Sequence, residues 1–205
     1  MVDHSLHPLF KPIQMNGTYP NSYYVEKSPA TSLMAYVACY WESGSLPYTQ
    51  EDVAKEEGRN LSAMTVPARV LPDGCTDMLI TYDPVCSVHS YAYCGNYTQP
   101  FAVPEPSDDD PPAGDYTFGV RFFPGGAHVF HGMPLEWFTD KRIPLEECWP
   151  KKLNALQERM AETNRFAERV EVMNAYLSPL SVQASTYEND LMKNVLHRIF
   201  KDGDG

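Results

Sequence analysis

The stretch 69–84, "RVLPDGCTDMLITYDP", carries the pattern that decides the fold. Leu71-Pro72-Asp73-Gly74 fits a type I turn, because the fixed φ of proline suits the second position and glycine suits the fourth. Beyond the turn the side chains alternate. Thr76, Met78, Ile80 and Tyr82 fall on one face, and Cys75, Asp77, Leu79 and Thr81 on the other. A period of two marks a strand. Asp77 then lies on a partly apolar face, which is costly for a carboxylate that lacks a partner. Asp73 and Cys75 read as turn and strand-entry residues.

A partner for Asp77 stands in "DYTFGVRFFP", residues 115–124. There Val120 and Phe122 share one strand face, and Gly119, Arg121 and Phe123 the other. An Asp77–Arg121 pair is one expectation; two solvated charges on an outer face are the other. Further strands are expected in "SLMAYVACYWES" (32–43), "SAMTVPARV" (62–70) and "VHSYAYCGNY" (88–97). In the first, Ala35, Val37, Cys39 and Trp41 alternate with Tyr36, Ala38 and Tyr40. In the second, Pro67 cannot donate to a ladder and predicts a kink or a sheet edge. Residues 100–115, "PFAVPEPSDDDPPAGD", read as an exposed loop rich in proline and acid.

After residue 124 the period becomes helical. "PGGAHVFHGMPLEWFTDKRIPLEECW" (124–149) reads as short helical turns broken by Gly132, Pro134 and Pro144. Apolar stripes at helical spacing come next: Leu153, Leu156 and Met160; then Phe166, Val170, Met173 and Leu177; then Leu191, Val195 and Ile199. Asn164 and Thr186 are expected as N-caps, and Pro179 as the end of the second long helix. Strands followed by helices make an α+β chain, with an antiparallel barrel or sandwich first. The expected organisation is an N-terminal extension (1–30), a β-rich domain (31–124), a helical part packed on it (125–180), and a linker with one further helix (181–205).

Composition narrows the function. With 205 residues, 43% of them hydrophobic, the chain can bury one sizeable core. A formal net charge of −11, with only 16 lysines and arginines, repels nucleic acid over most of the surface. The five cysteines include no CxxC pair, and the start carries no secretory pattern; both predict reduced thiols and a cytoplasmic location. No run approaches the ~20 apolar residues of a membrane helix, so no membrane partner is expected.

Chemistry is sparse. His128 and His131, three apart, suit a shared metal, but Gly132 and Pro134 break the helix at once and no acid completes the set. A capping or surface pair of histidines is the plainer reading. His89 stands alone in its strand, and there is no His-x-His for a metal-dependent β-barrel. GxSxG is missing, and "PGGAH" lacks the lysine of a phosphate-binding loop. We therefore assign no catalytic residue, no metal and no cofactor from sequence, and expect no enzyme.

Three blocks together carry a resemblance. Pro72-Asp73-Gly74-Cys75 with "YCGNYTQP" comes first. Gly119, Val120, Arg121, Phe122, Pro124, Gly125 and Gly126 come next, then Gly132, Pro134, Leu145 and Trp149. In this order and spacing, over roughly residues 30–200, the chain resembles the N-terminal domain of AraC-type transcription regulators. The resemblance implies a cupin-like β-domain that senses a small-molecule effector, mediates homodimerisation, or both. It implies DNA contact only through a following domain with two helix-turn-helix motifs. "NDLMKNVLHRIFKDGDG" resembles the first helix of such a domain, and no recognition helix comes after it in this sequence. The chain then reads as a piece cut at a domain boundary or as a shortened form. The loop at 100–115 is longer than the family pattern.

On this reading an effector pocket has aromatic walls and a few fixed polar groups. The candidate lining is Tyr36, Trp41, Asp77, Tyr82, Arg121 and Phe123. Two other readings stay open. One is a small metal-dependent β-barrel enzyme using His89, His128 or His131. The other is a stand-alone dimerisation module that pairs through the stripes at 153–177.

Overall fold

The computed structural model of the chain describes residues 6–8, 22–45, 69–102, 114–149, 153–183, 194–199 and 201. Six strands form one sheet: β1 (Ser22–Lys27), β2 (Val37–Ser45), β4 (Thr76–Asp83), β5 (Val88–Cys94), β7 (Tyr116–Phe122) and β8 (Arg142–Pro144), in the order β1-β2-β7-β4-β5-β8. Every pairing is antiparallel. β3 (Arg69–Val70) and β6 (Phe101–Ala102) pair in a separate two-stranded ribbon. Among the described residues the α-helices include α1 (His128–His131), α2 (Leu145–Cys148), α3 (Leu153–Ala161) and α4 (Phe166–Gln183). The chain is α+β, as the switch of period predicts. β1 and β8 lie at opposite edges without pairing, so among the described residues the sheet stays open and the expected barrel closure is not seen.

The alternation read from 69–84 sets the centre of the sheet. Met78 and Ile80 of β4 lie beside Phe118, Val120 and Phe122 of β7, all with no exposed surface. The helical stripes cover them. Leu153, Leu156 and Met160 of α3, with Val170, Met173 and Leu177 of α4, join the same core cluster. Each such side chain stabilises by about 1.5–3 kcal/mol on full burial. One face of the sheet is thus covered by helices. The other face carries Asp77, Arg121 and Trp41.

Several expectations change in detail. β2 has a register shift between Val37 and Cys39. Strict alternation groups Val37 with Cys39 and Trp41; instead Val37 joins Tyr40 in the main core. Ala38 joins Leu6 and Phe123 in a small second cluster. An extra residue in one strand reverses the facing of what precedes it. The region 124–149, read as helical turns only, also supplies β8, which pairs Ile143 with Tyr93. Pro144 is tolerated there because β8 is an edge strand.

Pro179 does not end α4, which runs on to Gln183. Proline removes one helical N–H bond, but Leu177 and Leu180 on either side of it are buried in the core and hold the backbone on course. At the expected Asn164 cap, it is Glu168 that bonds the start of α4. Its carboxylate accepts from the Asn164 and Arg165 N–H groups at 3.0 and 3.2 Å. These bonds hold the Glu168 carboxyl below its usual range, the Asn164 contact most of all.

Residues 194–199 are helical as expected, with a different face inward. Leu196 packs on the Leu6–Ala38–Phe123 cluster, while Val195 and Ile199 are 47% and 56% exposed. What this helix docks on selects the buried side, and the patch it meets accepts Leu196. Pro67, the acidic run 107–110, Thr186 and Leu191 lie outside the described residues. Among those described, no helix is long and apolar enough to cross a membrane.

Candidate functional site

The face of the sheet opposite the helices brings three of the predicted residues together. β4 and β7 pair with Asp77 directly opposite Arg121. Arg121 Nη1 donates to Asp77 Oδ2 at 2.8 Å, and its Nη2 donates to the Asp73 carboxylate. Trp41 Nε1 donates to the other Asp77 oxygen at 3.2 Å. The side chains of Arg121, Asp77 and Asp73 are 10%, 16% and 24% exposed, so this is a paired and largely enclosed network rather than two solvated charges.

Local sequence explains the geometry. Gly74 takes φ 73, and Cys75 N–H closes onto Asp73 Oδ1 at 2.9 Å. The turn therefore aims Asp73 back at Arg121, a role beyond the turn and strand entry read from sequence. Trp41 lies flat over Gly119; a Cβ there would stand 2.1 Å from the indole. Tyr24 stacks on Trp41 with centroids 6.2 Å apart.

Electrostatics make this network a brace. Burial pushes the Asp77 carboxyl up, with Arg121 and then Trp41 pulling the other way. Burial alone disfavours the Arg121 charge, but Asp77 and its neighbours more than offset it and raise its pKa. Both Asp77 oxygens are already occupied. The nearby thiols of Cys39 and Cys75 are pushed up by burial, and Cys94 and Cys148 rise to about 11 for the same reason. That is the opposite of what a nucleophilic thiolate needs.

Tyr82 sits on the other, helix-facing side, as its place in the alternation requires. There it meets a set of groups absent from the sequence-based lining. Tyr82 pairs with both His89 and Tyr116 across the neighbouring strands. It stacks on Tyr116 at 5.4 Å and tilts against His89 at 4.9 Å. His89 Nε2 and the Tyr116 hydroxyl are 2.7 Å apart. Tyr91 flanks His89 at 6.3 Å. All four rings are half-buried.

From α4, Arg169 reaches into this group. Its Cζ lies 4.0 Å from the Tyr116 ring centroid, a cation–π contact. Its Nε donates to Glu42 Oε2 at 2.6 Å, and Tyr23 O–H donates to Glu42 Oε1 at 2.8 Å. The Arg169 and Glu42 side chains are 3% and 0% exposed. Arg169 Nη1 is buried without a hydrogen-bond partner among the described residues. Burial first, then the Arg169 charge, lowers the pKa of His89. The result is a half-open aromatic wall around a buried cation with donor capacity left over.

Tyr36 and Phe123 belong to neither group. Tyr36 packs edge-on against Phe130 at 5.9 Å in the main core. Phe123 packs with Leu6 and Ala38, and His7 meets its ring at 5.1 Å. His128 and His131 both bond the backbone of Met133, at 2.9 and 3.0 Å. Among the described residues, no group of three or more His, Cys, Asp or Glu side chains is placed to hold a metal.

Glu42 and Arg169 were legible as the odd members of buried stripes. Glu42 lies two past Tyr40 on one strand face, and Arg169 lies three residues past Phe166 on the buried side of α4. A charge at such a position needs a partner.

No curated protein and no solved structure matches the chain. A family model described as "Domain of unknown function (DUF6597)" matches residues 25–144. That span includes Trp41, Asp77 and Arg121, and also Glu42, Tyr82, His89 and Tyr116; Tyr23 and Arg169 lie outside it. The chain thus belongs to the DUF6597 family.

Proposed function

We propose that this chain is the effector-sensing half of a transcription regulator of the AraC type, acting as a cytoplasmic homodimer. On this reading the six-stranded sheet is one wall of a cupin-like body. Residues 31–124 form the sensing part, 125–180 its helical cover, and 181–205 lead into a DNA-binding domain outside this chain.

One observation carries the reading. Arg169, on the long helix α4, is bonded to Glu42 of the sheet and lies on Tyr116, beside half-open Tyr82, His89 and Tyr91. An effector that stacks on these rings and takes the remaining Arg169 donors changes what α4 holds on the sheet. α4 runs toward the C-terminal end of the chain. A ligand with different affinities for two settings of α4 shifts their populations, and that is the required coupling. The Asp73–Arg121–Asp77–Trp41 network keeps the opposite face of the sheet rigid while this happens. The predicted lining therefore divides: Tyr82 lines the effector site, and Trp41, Asp77 and Arg121 brace it.

The test is to read the gene past codon 205 and express the whole frame. A following segment of about 100 residues, one domain's length, with two helix-turn-helix patterns is expected. Operator binding should then change with effector and lose that response in Tyr82→Ala. A frame that ends at Gly205 overturns the assignment to a DNA-binding regulator.

A further inference from the structure

A second polar group lies deeper in the molecule and takes no part in the effector reading. Besides Arg169 Nη1, four buried side-chain atoms have no hydrogen-bond partner among the described residues: Thr76 Oγ1, Tyr93 OH, His131 Nε2 and Trp149 Nε1. Thr76, Tyr93 and Trp149 are 3%, 0% and 1% exposed. The four are neighbours. The Tyr93 and His131 rings are 5.4 Å apart, His131 and Trp149 5.5 Å, and Tyr93 and Trp149 6.1 Å. Thr76 lies beside the Tyr93 phenol and works against the rise that burial causes in its pKa, yet closes no bond to it.

Their chemistry is one-sided. His131 Nδ1 accepts the Met133 N–H at 3.0 Å, so the neutral ring carries its proton on Nε2. Burial, and then His128, hold that ring neutral. His131 Nε2 and Trp149 Nε1 are therefore both donors, and an indole N–H can never accept. The two hydroxyls can serve either way. The Tyr176 hydroxyl lies near the Trp149 indole N–H without closing a bond to it, so the group holds more donors than engaged acceptors. No cation is among its members to favour an anion, and the surrounding rings, Phe122, Phe130 and Phe138, are apolar. Buried polar atoms are almost always bonded, so four orphans in contact are an exception that calls for a cause.

We infer that this node between the sheet, α1 and α2 binds a neutral acceptor oxygen. That chemistry is shared by an internal water and by the carbonyl or hydroxyl of a small uncharged ligand. Tyr93 and Thr76 keep hydroxyls where phenylalanine and valine have the same shape because the guest bonds to them.

The isosteric variants Thr76→Val and Tyr93→Phe give opposite outcomes for the two cases. If the guest is bound, each removes one of its partners and lowers Tm, by roughly 2–4 °C for a chain of this size. If nothing is bound, each removes an orphan and raises Tm. A high-resolution crystal structure of the unmodified chain should place an oxygen about 2.7–3.2 Å from Trp149 Nε1 or His131 Nε2. Isolated density of one or two atoms identifies water. Larger density, with a matching added mass in native mass spectrometry, identifies a small ligand. Either supports the inference. No density at the node, with both variants more stable than the parent, overturns it. Should Tyr93→Phe fail to fold, Thr76→Val alone carries the sign.

Discussion

Replacing Arg169 by methionine should be among the most damaging single changes on the helical side. Methionine keeps most of the side-chain length and its contact with Tyr116, so the loss is chiefly electrostatic. What remains is Glu42, with no exposed surface and, among the described residues, a donor in the Tyr23 hydroxyl. Breaking a buried ion pair by removing one member costs about 3–5 kcal/mol, because the surviving charge stays buried. Tyr23 keeps one bond to the carboxylate, which places the loss at about 3 kcal/mol. At 2–4 °C per kcal/mol for a chain of this size, that is roughly 6–12 °C in Tm.

The second half of the experiment separates charge from packing. Glu42→Gln removes the carboxylate while keeping the shape and an acceptor for Tyr23. Replacing a whole buried pair with neutral groups is often neutral or even stabilising. The double variant Glu42→Gln with Arg169→Met should therefore be more stable than Arg169→Met alone. The coupling energy should reach about 2 kcal/mol, within the range seen for residues that share a network. Urea unfolding of the four proteins at pH 7, followed by circular dichroism, supplies the cycle. A single variant within about 0.5 kcal/mol of the parent, or a double variant no better than the single, would refute the reasoning.

Three further outcomes rest on the same geometry. His131 has its pKa lowered from 6.5 to about 4 by burial and then His128, so it stabilises fully above about pH 6.5 and progressively less as pH falls toward 4; urea midpoints across that window should fall, and less steeply in His131→Asn. Gly119→Ala should lose about 1–3 kcal/mol, because the new methyl enters the space of the Trp41 indole; an unchanged urea midpoint would mean the indole swings aside at no cost. Arg121→Ala leaves Asp73 and Asp77 facing each other without their cation, and should lower Tm by several degrees; a stable variant that has lost effector response would return Arg121 to the ligand.

The central sheet was legible because its period is short and local. Thr76, Met78, Ile80 and Tyr82 share a face whatever else the chain does, and the same holds for Val120 and Phe122. The Asp77–Arg121 pair was legible for the same reason. Each residue sits at an odd position on an apolar face, though the second acid on Arg121, Asp73, was read only as a turn residue. What escaped depends on tertiary contacts. The shift between Val37 and Cys39 is a property of how β2 meets β7, and nothing in "YVACYW" marks it. β8 is three residues long, too short to show a period, and exists because β5 offers it an edge. Pro179 obeys its local rule only where packing does not overrule it. The candidate lining failed as a set for a related reason. Parity assigns a residue to a face, but not to its neighbours along the strand. Tyr36, Tyr82 and Trp41 were grouped by chemistry; the fold puts Tyr36 in the core, Tyr82 among half-buried rings and Trp41 on Asp77.

The family segment and the folding unit do not coincide, and the difference says where function must be sought. The family model ends at residue 144, at the close of β8. Within that span the inner face of the sheet is a continuous apolar surface, and Glu42 is buried on it without its cation. Helices C-terminal to that span meet both requirements. α3 and α4 supply the apolar cover, and α4 alone supplies Arg169. A sheet in this state cannot be a finished module, since uncovered apolar surface and a bare buried carboxylate both oppose folding. The helical cover is therefore integral, and its buried charged contact with the sheet, Glu42–Arg169, adds to the packing. Apolar packing tolerates small slides of a helix, whereas a 2.6 Å bond between buried charges does not. Glu42–Arg169 stands beside the rings of Tyr116, Tyr82 and His89, so a displacement of α4 along the sheet must break that bond or carry it along.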